Sequence, residues 1–350
     1  MQTQKKVLSP ALIRKGLIIT LSIGLITMGI LLYSSTTPET WHSLRNIHLK
    51  NILLMLGAVV LSWLIEGFRV KTIASLLDEQ IGFFDILRIN LASIFSGNVT
   101  PLYSGTIPTQ VYFFHRKGIS VGKATAIVTI RLSFTSLLLA IGGPLLLFIF
   151  KGKILDEIGL SHLAGFINYI LLLALFFFGF LLFLLLKPDK GEILINKFFQ
   201  LKFVKKILGS RTEPFCHKVT SEAKEFHFWL NTLFQKKALS VLFVVILTFF
   251  SWLSTLAITP AVMLGLGVNI KGKIFRILLL QFIIQFFLSF IPIPGGSGVA
   301  EMGFFSIFSG YLPKHLQAIS VTIWRLLSYY LNTFIGGFCF LRLFTGKENE

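Results

Sequence analysis

The chain reads as an all-α polytopic membrane protein: six crossings and two re-entrant helical hairpins, or about eight transmembrane helices, built on an inverted internal repeat. Three observations predict this class. Hydrophobic residues form 54% of the 350 positions and charged residues only 14%, with 37 phenylalanines, well away from the composition of soluble domains. Apolar stretches on the scale of a ~30 Å hydrocarbon core recur at 17–33, 51–65, 126–150, 166–186, 238–258 and 316–341. Two further apolar runs, 83–98 and 277–291, end in clusters of proline and glycine.

The first stretch follows Lys5, Lys6, Arg14 and Lys15, and no small-residue cleavage site comes after Tyr33. It therefore reads as a retained anchor, not a secretory signal. The two short runs reach only ~23 Å as helix before their breaks. Each can be a short crossing or the descending arm of a hairpin, and charge arbitrates. If 83–112 and 277–310 each enter and leave on one side, then the N-terminus, 69–82, 113–123, 187–237 and the C-terminus share a face. Those segments hold 22 Lys and Arg, against seven around 34–50, 151–160, 265–275 and 310–315. Full crossings would instead place Arg116, Lys117 and Lys123 outside, a poorer fit to the positive-inside rule. Six crossings, two hairpins and cytoplasmic termini follow.

The net charge is +18, and eleven of the 33 basic residues lie in 187–237. No nucleic-acid motif accompanies them, so the charge reads as cytoplasmic retention and attraction to anionic headgroups. Within that segment Phe198, Phe199, Leu201, Phe203, Val204, Ile207 and Leu208 alternate with lysines, the pattern of an interfacial amphipathic helix. The whole of 1–350 is read as one integral membrane domain. It divides into a first repeat (51–150), a connecting crossing (166–186), the basic segment (187–237) and a second repeat (238–341).

The repeat rests on an offset of 194. Arg131-Leu followed by Ile141-Gly142-Gly143 matches Arg325-Leu followed by Ile335-Gly336-Gly337, and Ala124 falls on Ala318. Pro101-Leu-Tyr-Ser-Gly105 comes within one residue of Pro294-Gly-Gly-Ser-Gly298. Because one extra crossing separates the copies, they face opposite ways, and the hairpins dip from opposite sides to meet near the midplane. Inverted repeats with broken helices at that depth are the architecture of alternating-access transporters.

A charge inside a crossing costs at least ~2.5 kcal/mol by insertion scales, so each needs a reason. Arg131 and Arg325 sit at matching depth and can hold an anionic headgroup, phosphate for preference, through bidentate hydrogen bonds. Alternatively, each neutralises an intramembrane acid and ties helices together, with Glu66 and Glu301 available. Glu301 can also accept a proton or meet a cationic headgroup. The stretch Pro292, Pro294, Gly295, Gly296, Ser297 and Gly298 breaks the helix, and the backbone N–H groups at 295–299 offer an anion nest. The first hairpin contributes Asn98, Pro101, Gly105, Thr106 and Gln110, all uncharged. Two isolated cysteines, Cys216 and Cys339, and scattered histidines imply neither a disulfide framework nor a metal or other cofactor. No paired acids or Ser/His couple at usable spacing point to an enzyme.

These residues resemble the flippase-like membrane domain of lysylphosphatidylglycerol synthases. The likeness is carried by Asn98-Val-Thr-Pro101-x3-Gly105 through Gln110, by Arg116-Lys-Gly118-Ile-Ser, and most specifically by Pro292-x-Pro-Gly-Gly-Ser-Gly298-Val-x-Glu301. The resemblance covers roughly 15–340. It implies a bacterial or archaeal cytoplasmic-membrane protein that moves an anionic lipid, a phospholipid or polyprenyl phosphate, between leaflets. The runner-up implication is an accessory protein presenting lipid to a partner glycosyltransferase or synthase. The chain departs from the family at Thr106, where a second Gly or an acid is common, and at Phe134, where an acid often follows the first buried arginine. No segment has room for the aminoacyl-transferase domain of the bifunctional synthases, so synthesis of lysyl-lipid is not expected. The sequence leaves the oligomeric state open.

Overall fold

The computed structural model describes residues 24–33, 36–45, 47–157 and 212–345, with single positions at 18, 22, 193, 196, 197, 199 and 200. The predicted crossing 166–186 and most of the predicted interfacial helix lie outside the described residues. Among the described residues all regular structure is helical. Of these described residues, three helical stretches are long and apolar enough to cross a membrane: Leu49–Leu76, Val121–Leu146 and Leu239–Gly265, with mean hydropathies of 1.9, 1.8 and 2.4.

The first of these, α3 (Leu49–Leu76), follows the short α1 (Gly24–Tyr33) and α2 (Pro38–Arg45). Its 28 residues span ~42 Å. The predicted 51–65 is therefore too short. Nothing breaks the helix before Asp78, which takes a left-handed φ of 57°. The charges beyond 65 do not stop it, because Glu66 and Arg69 pair across one turn at 2.9 Å. This corrects the assignment of Arg69 to a loop at 69–82; it is a buried residue of the helix.

The first hairpin is α4 (Phe83–Asn98), a 3₁₀ turn (Pro101–Tyr103) and α5 (Thr106–Arg116), leading into the long α6 (Val121–Glu157). The second begins after α7 (Thr212–Leu256) and α8 (Ile258–Gly265), and consists of α9 (Ile274–Leu288), a 3₁₀ turn (Pro294–Gly296) and α10 (Val299–Phe308). A rod closes the chain: α11 (Lys314–Arg325), a π-helical turn (Leu326–Tyr330) and α12 (Leu331–Thr345). Helix α7 runs unbroken for 45 residues. The predicted boundary at 237/238 therefore falls inside a helix, and the described part of the basic segment continues directly into the predicted crossing.

Polar contacts sort the connections into two ends. At one end Lys117 pairs with Asp85 at 3.0 Å, Lys123 pairs with Glu79 at 2.6 Å, and Arg116 donates to the Leu343 carbonyl at 2.7 Å. At the other, Thr40 donates to the His315 carbonyl at 2.7 Å, Asn51 donates to the Gly265 carbonyl at 3.0 Å, and Lys273 lies 5.8 Å from the Tyr311 ring. The α4–α5 hairpin thus starts and finishes at the first end, and the α9–α10 hairpin at the second. Their two 3₁₀ turns touch each other, the second buried and the first exposed.

The glycine pairs explain how the hairpins are gripped. Gly336 on α12 lies so near α4 that a Cβ there would sit 2.3 Å from the Leu91 carbonyl oxygen, and one at Gly337 would meet Phe95. Reciprocally, Cβ atoms at Gly142 and Gly143 on α6 would meet Phe282 and Phe286 of α9. Each Gly-Gly pair rests on two residues four apart on a hairpin's first arm. Without side chains there, the helices approach closely enough for dispersion contacts to accumulate. A core of Ile277, Leu280, Phe304, Phe308, Val321 and Trp324 joins the second hairpin to α11, while Ile86, Ile89, Phe113, Phe114 and Ile127 join the first to α6.

Candidate functional site

The two turns share an unusual backbone. After Pro294, Gly295 and Gly296 have φ of 64° and 61°; after Pro101, Leu102 and Tyr103 have φ of 52° and 54°. Glycine adopts this left-handed geometry freely, whereas a residue with a Cβ pays roughly 1–2 kcal/mol. The one-residue shift that aligns Pro101–Gly105 with Pro294–Gly298 in the sequence therefore aligns like conformations over the first three residues; they part at the last, where Gly105 has φ −73° and Gly298 φ 86°. It also shows that the first turn holds two side chains in strain, both well exposed: Leu102 58% and Tyr103 44%.

Around the second turn, Arg325 reaches in from the last turn of α11. Its Nε donates to Glu301 Oε1 at 2.8 Å, its Nη2 to the Gly295 carbonyl, and a longer contact of 3.4 Å reaches Ser297 Oγ. The guanidinium lies 4.3 Å from the Tyr329 ring centroid, close enough for a cation–π contribution. Glu301 Oε2 accepts the Gly298 backbone N–H at 2.7 Å. That hydrogen bond places Glu301 at the third position of α10, where a carboxylate caps the helix and meets its positive end. The sequence left Glu301 three roles; in this conformation it is paired with Arg325. The proposed anion nest is also engaged internally, since the N–H groups of Gly296, Ser297 and Gly298 donate to Ile293, Pro294 and Glu301. Pro294 opens the turn and is buried, while Pro292 is exposed.

Arg131 meets Glu66, with Nη1 2.8 Å from Oε1. Arg69 Nη2 reaches the same oxygen at 2.9 Å, and Arg69 Nη1 donates to Thr135 Oγ1 at 3.0 Å. Ser251 of α7 donates to Glu66 Oε2 at 2.7 Å. Three long helices, α3, α6 and α7, therefore converge on one carboxylate. Sequence reasoning found Arg131 and Glu66 but missed Arg69, Thr135 and Ser251. The spacing Glu66-x-x-Arg69, one helical turn, was the available signal for Arg69.

The remaining candidates bind the turns to their surroundings. Asn98 Nδ2 donates to Thr333 Oγ1 at 2.8 Å, and its carbonyl accepts the Tyr329 hydroxyl at 3.1 Å. Tyr329 thus bridges the two turns, stacked on Arg325 and bonded to the end of α4. Gln110 Nε2 donates to Asn90 Oδ1 at 2.6 Å, tying the arms of the first hairpin, and the Gly105 N–H donates to Thr100 Oγ1 at 2.8 Å. Trp63 on α3 donates to Asn332 on α12. A pocket of about 600 Å³ lies at the second end of the bundle, lined by Thr36, Thr37, Pro38, Trp41, His42 and Arg45, and it contains none of the site residues above. Among the described residues no cluster of three His, Cys, Asp or Glu side chains could hold a metal ion.

The chain is similar to known membrane proteins along nearly its whole length. It is 27% identical over 321 residues to a UPF0104 membrane protein of Archaeoglobus fulgidus, covering 89% of this chain and 92% of that one. The family model described as the lysylphosphatidylglycerol synthase TM region matches residues 17–336, which contain both hairpins, Gly142 and Gly143, Gly336 of the second glycine pair, and both arginine–glutamate sites. The chain belongs to the lysylphosphatidylglycerol synthase transmembrane-region family.

Proposed function

We propose that the protein moves an anionic lipid, a phospholipid or a polyprenyl-phosphate-linked lipid, between membrane leaflets as a flippase or scramblase. The route runs past the two Pro/Gly turns and the two buried arginines. The observation that carries this reading is the meeting of the two broken turns, each at the tip of its hairpin. Helix α4 has 16 residues, so its tip lies ~24 Å from the end where it begins. At that depth Leu102 and Tyr103 are exposed on a strained backbone. Non-helical backbone at membrane depth persists only where protein or a water-filled cavity covers it, and backbone strain concentrates where a chain does work.

The topology that goes with this function is six crossings and two re-entrant hairpins in inverted copies. Reciprocal packing of Gly142-Gly143 on one hairpin and Gly336-Gly337 on the other supports the copies. The end carrying Arg116, Lys117, Lys123 and Arg342 is the cytoplasmic one by the positive-inside rule, and both termini belong to that face of a bacterial or archaeal cytoplasmic membrane. A catalytic role is not part of the reading.

Full pairing of Arg325 with Glu301 favours a second reading, in which the fold holds lipid statically and presents it to a partner glycosyltransferase or synthase. Proteoliposomes separate the two. Fluorescent phosphatidylglycerol or polyprenyl phosphate in the inner leaflet should become accessible to an external quencher faster with the protein than without it. An Arg131→Ala/Arg325→Ala variant should slow that exchange. Equal rates for protein-free, wild-type and double-variant vesicles would reject transport in favour of presentation.

A further inference from the structure

The two arginine sites are matched in sequence but differ in charge and access. At Arg325 one guanidinium faces one carboxylate, and both are sealed, with side-chain exposures of 5% and 0%. Its Nε and Nη2 have acceptors within the chain, and the ring of Tyr329 covers its face. This site is neutral and its hydrogen-bonding capacity is largely met.

At Arg131 two guanidiniums face one carboxylate. Arginine stays protonated in proteins and Glu66 can carry at most one negative charge, so the cluster holds at least one unit of positive charge in excess. The only other side chains bonded to it among the described residues, Thr135 and Ser251, are uncharged. Arg69 Nε and Arg131 Nε are buried donors with no acceptor among the described residues. Yet the cluster is reachable: Glu66 is 16% and Arg131 11% exposed, while Arg69 behind them is 3% exposed. An uncompensated buried charge with idle donors is unstable unless a counter-ion joins it.

We propose that Arg69 and Arg131, which share the single carboxylate of Glu66, form the anion subsite, and that its ligand is a singly charged phosphate or phosphodiester. A guanidinium pair presents directed N–H donors suited to such oxygens. One added negative charge makes the cluster neutral, as the Arg325 site already is. Arg325–Glu301 is then a strut holding the second hairpin to α11, and the ligand charge is taken on one side of the molecule only. This assignment rests on the lipid-handling reading, because the same phosphate chemistry can come from a lipid headgroup or from free phosphate.

The test measures binding by the full-length protein in nanodiscs. The probes are potassium phosphate in phosphatidylcholine discs, and phosphatidylglycerol titrated into the same discs. Wild type should bind at least one of them; binding of phosphatidylglycerol alone identifies a lipid headgroup, and binding of phosphate alone a soluble anion. Arg69→Gln makes the cluster neutral without ligand and should weaken binding at least about tenfold, a charge-assisted hydrogen bond being lost. Arg69→Lys, which keeps the charge, should recover most of it. Glu66→Gln raises the excess charge and should tighten binding several-fold, whereas a purely structural Glu66 would leave it unchanged or weaker. Size-exclusion profiles report folding, and if Arg69→Gln does not fold, the sign of the Glu66→Gln change decides. Absence of binding to both probes, or unchanged binding in Arg69→Gln, overturns the subsite. The leaflet-exchange assay on the same preparations keeps the two readings apart. Charge-ordered binding without lipid movement leaves the subsite standing and removes transport; lipid movement without charge-ordered binding does the reverse.

Discussion

Replacing Glu301 by Gln tests the claim that a single ion pair fixes the second hairpin. In wild type, Glu301 has no exposed side-chain surface and bonds both Arg325 Nε and the Gly298 N–H. The substitution leaves the guanidinium of Arg325 buried without its counter-charge, and removing one partner of such a pair costs about 3–5 kcal/mol. Unfolding entropy of about 2.1 cal/mol/K per residue over 350 residues amounts to about 0.7 kcal/mol/K, so Tm should fall by about 4–7 °C. Arg325→Met alone should cost as much, because it strands the carboxylate. The double variant Glu301→Gln/Arg325→Met removes both charges and should be less destabilised than either single change. Thermal unfolding in detergent, followed by intrinsic fluorescence, gives the cycle, with an expected coupling of at least about 2 kcal/mol. Single changes costing less than about 1 kcal/mol, or a double variant whose loss equals the sum of the two, would refute the strut.

Other consequences of the structure are as direct. Gly336→Ala drives a methyl into the Leu91 carbonyl and should cost about 1–3 kcal/mol, while Gly337→Ala, whose Cβ would stand 3.3 Å from Phe95, should cost clearly less; thermal unfolding ranks them. Leu102→Gly relieves a left-handed φ at an exposed position and should change stability by no more than about 0.5 kcal/mol, whereas Leu53→Gly at an exposed position inside α3 should cost about 1 kcal/mol. With Cys216 and Cys339 replaced by Ser, single cysteines at 117 and 345 should react with an impermeant thiol reagent from one side of the membrane, and cysteines at 42 and 314 from the other. Reaction of 117 together with 42 would mean that the first hairpin crosses.

Class and punctuation were legible in the chain before any folding was considered. A chain this apolar has to be helical in a bilayer, because backbone groups there find partners only within helices or closed barrels. Pro101, Pro294 and the glycines after Pro294 cannot sit inside a helix without cost, so both breaks were legible to within a residue or two. Arg131, Glu66, Arg325 and Glu301 stood out because a charge among apolar residues is expensive. The first turn was legible only as a faint match, since Leu102 and Tyr103 carry no sign of the left-handed geometry that Gly295 and Gly296 advertise.

Which side chain partners which was settled by packing. Partners within one turn leave a trace in the sequence, as Glu66-x-x-Arg69 does, but Ser251 lies 185 residues from Glu66 and Asn98 lies 235 from Thr333. Such pairs depend on how helices are oriented and slid against each other, which side-chain packing sets over the whole bundle. For that reason two arginines in matching sequence surroundings ended in different company. Arg325 is sealed against a carboxylate from the hairpin it holds. Arg131 shares its carboxylate with Arg69, a residue whose place inside α3 was hidden by the helix running on past its apolar stretch.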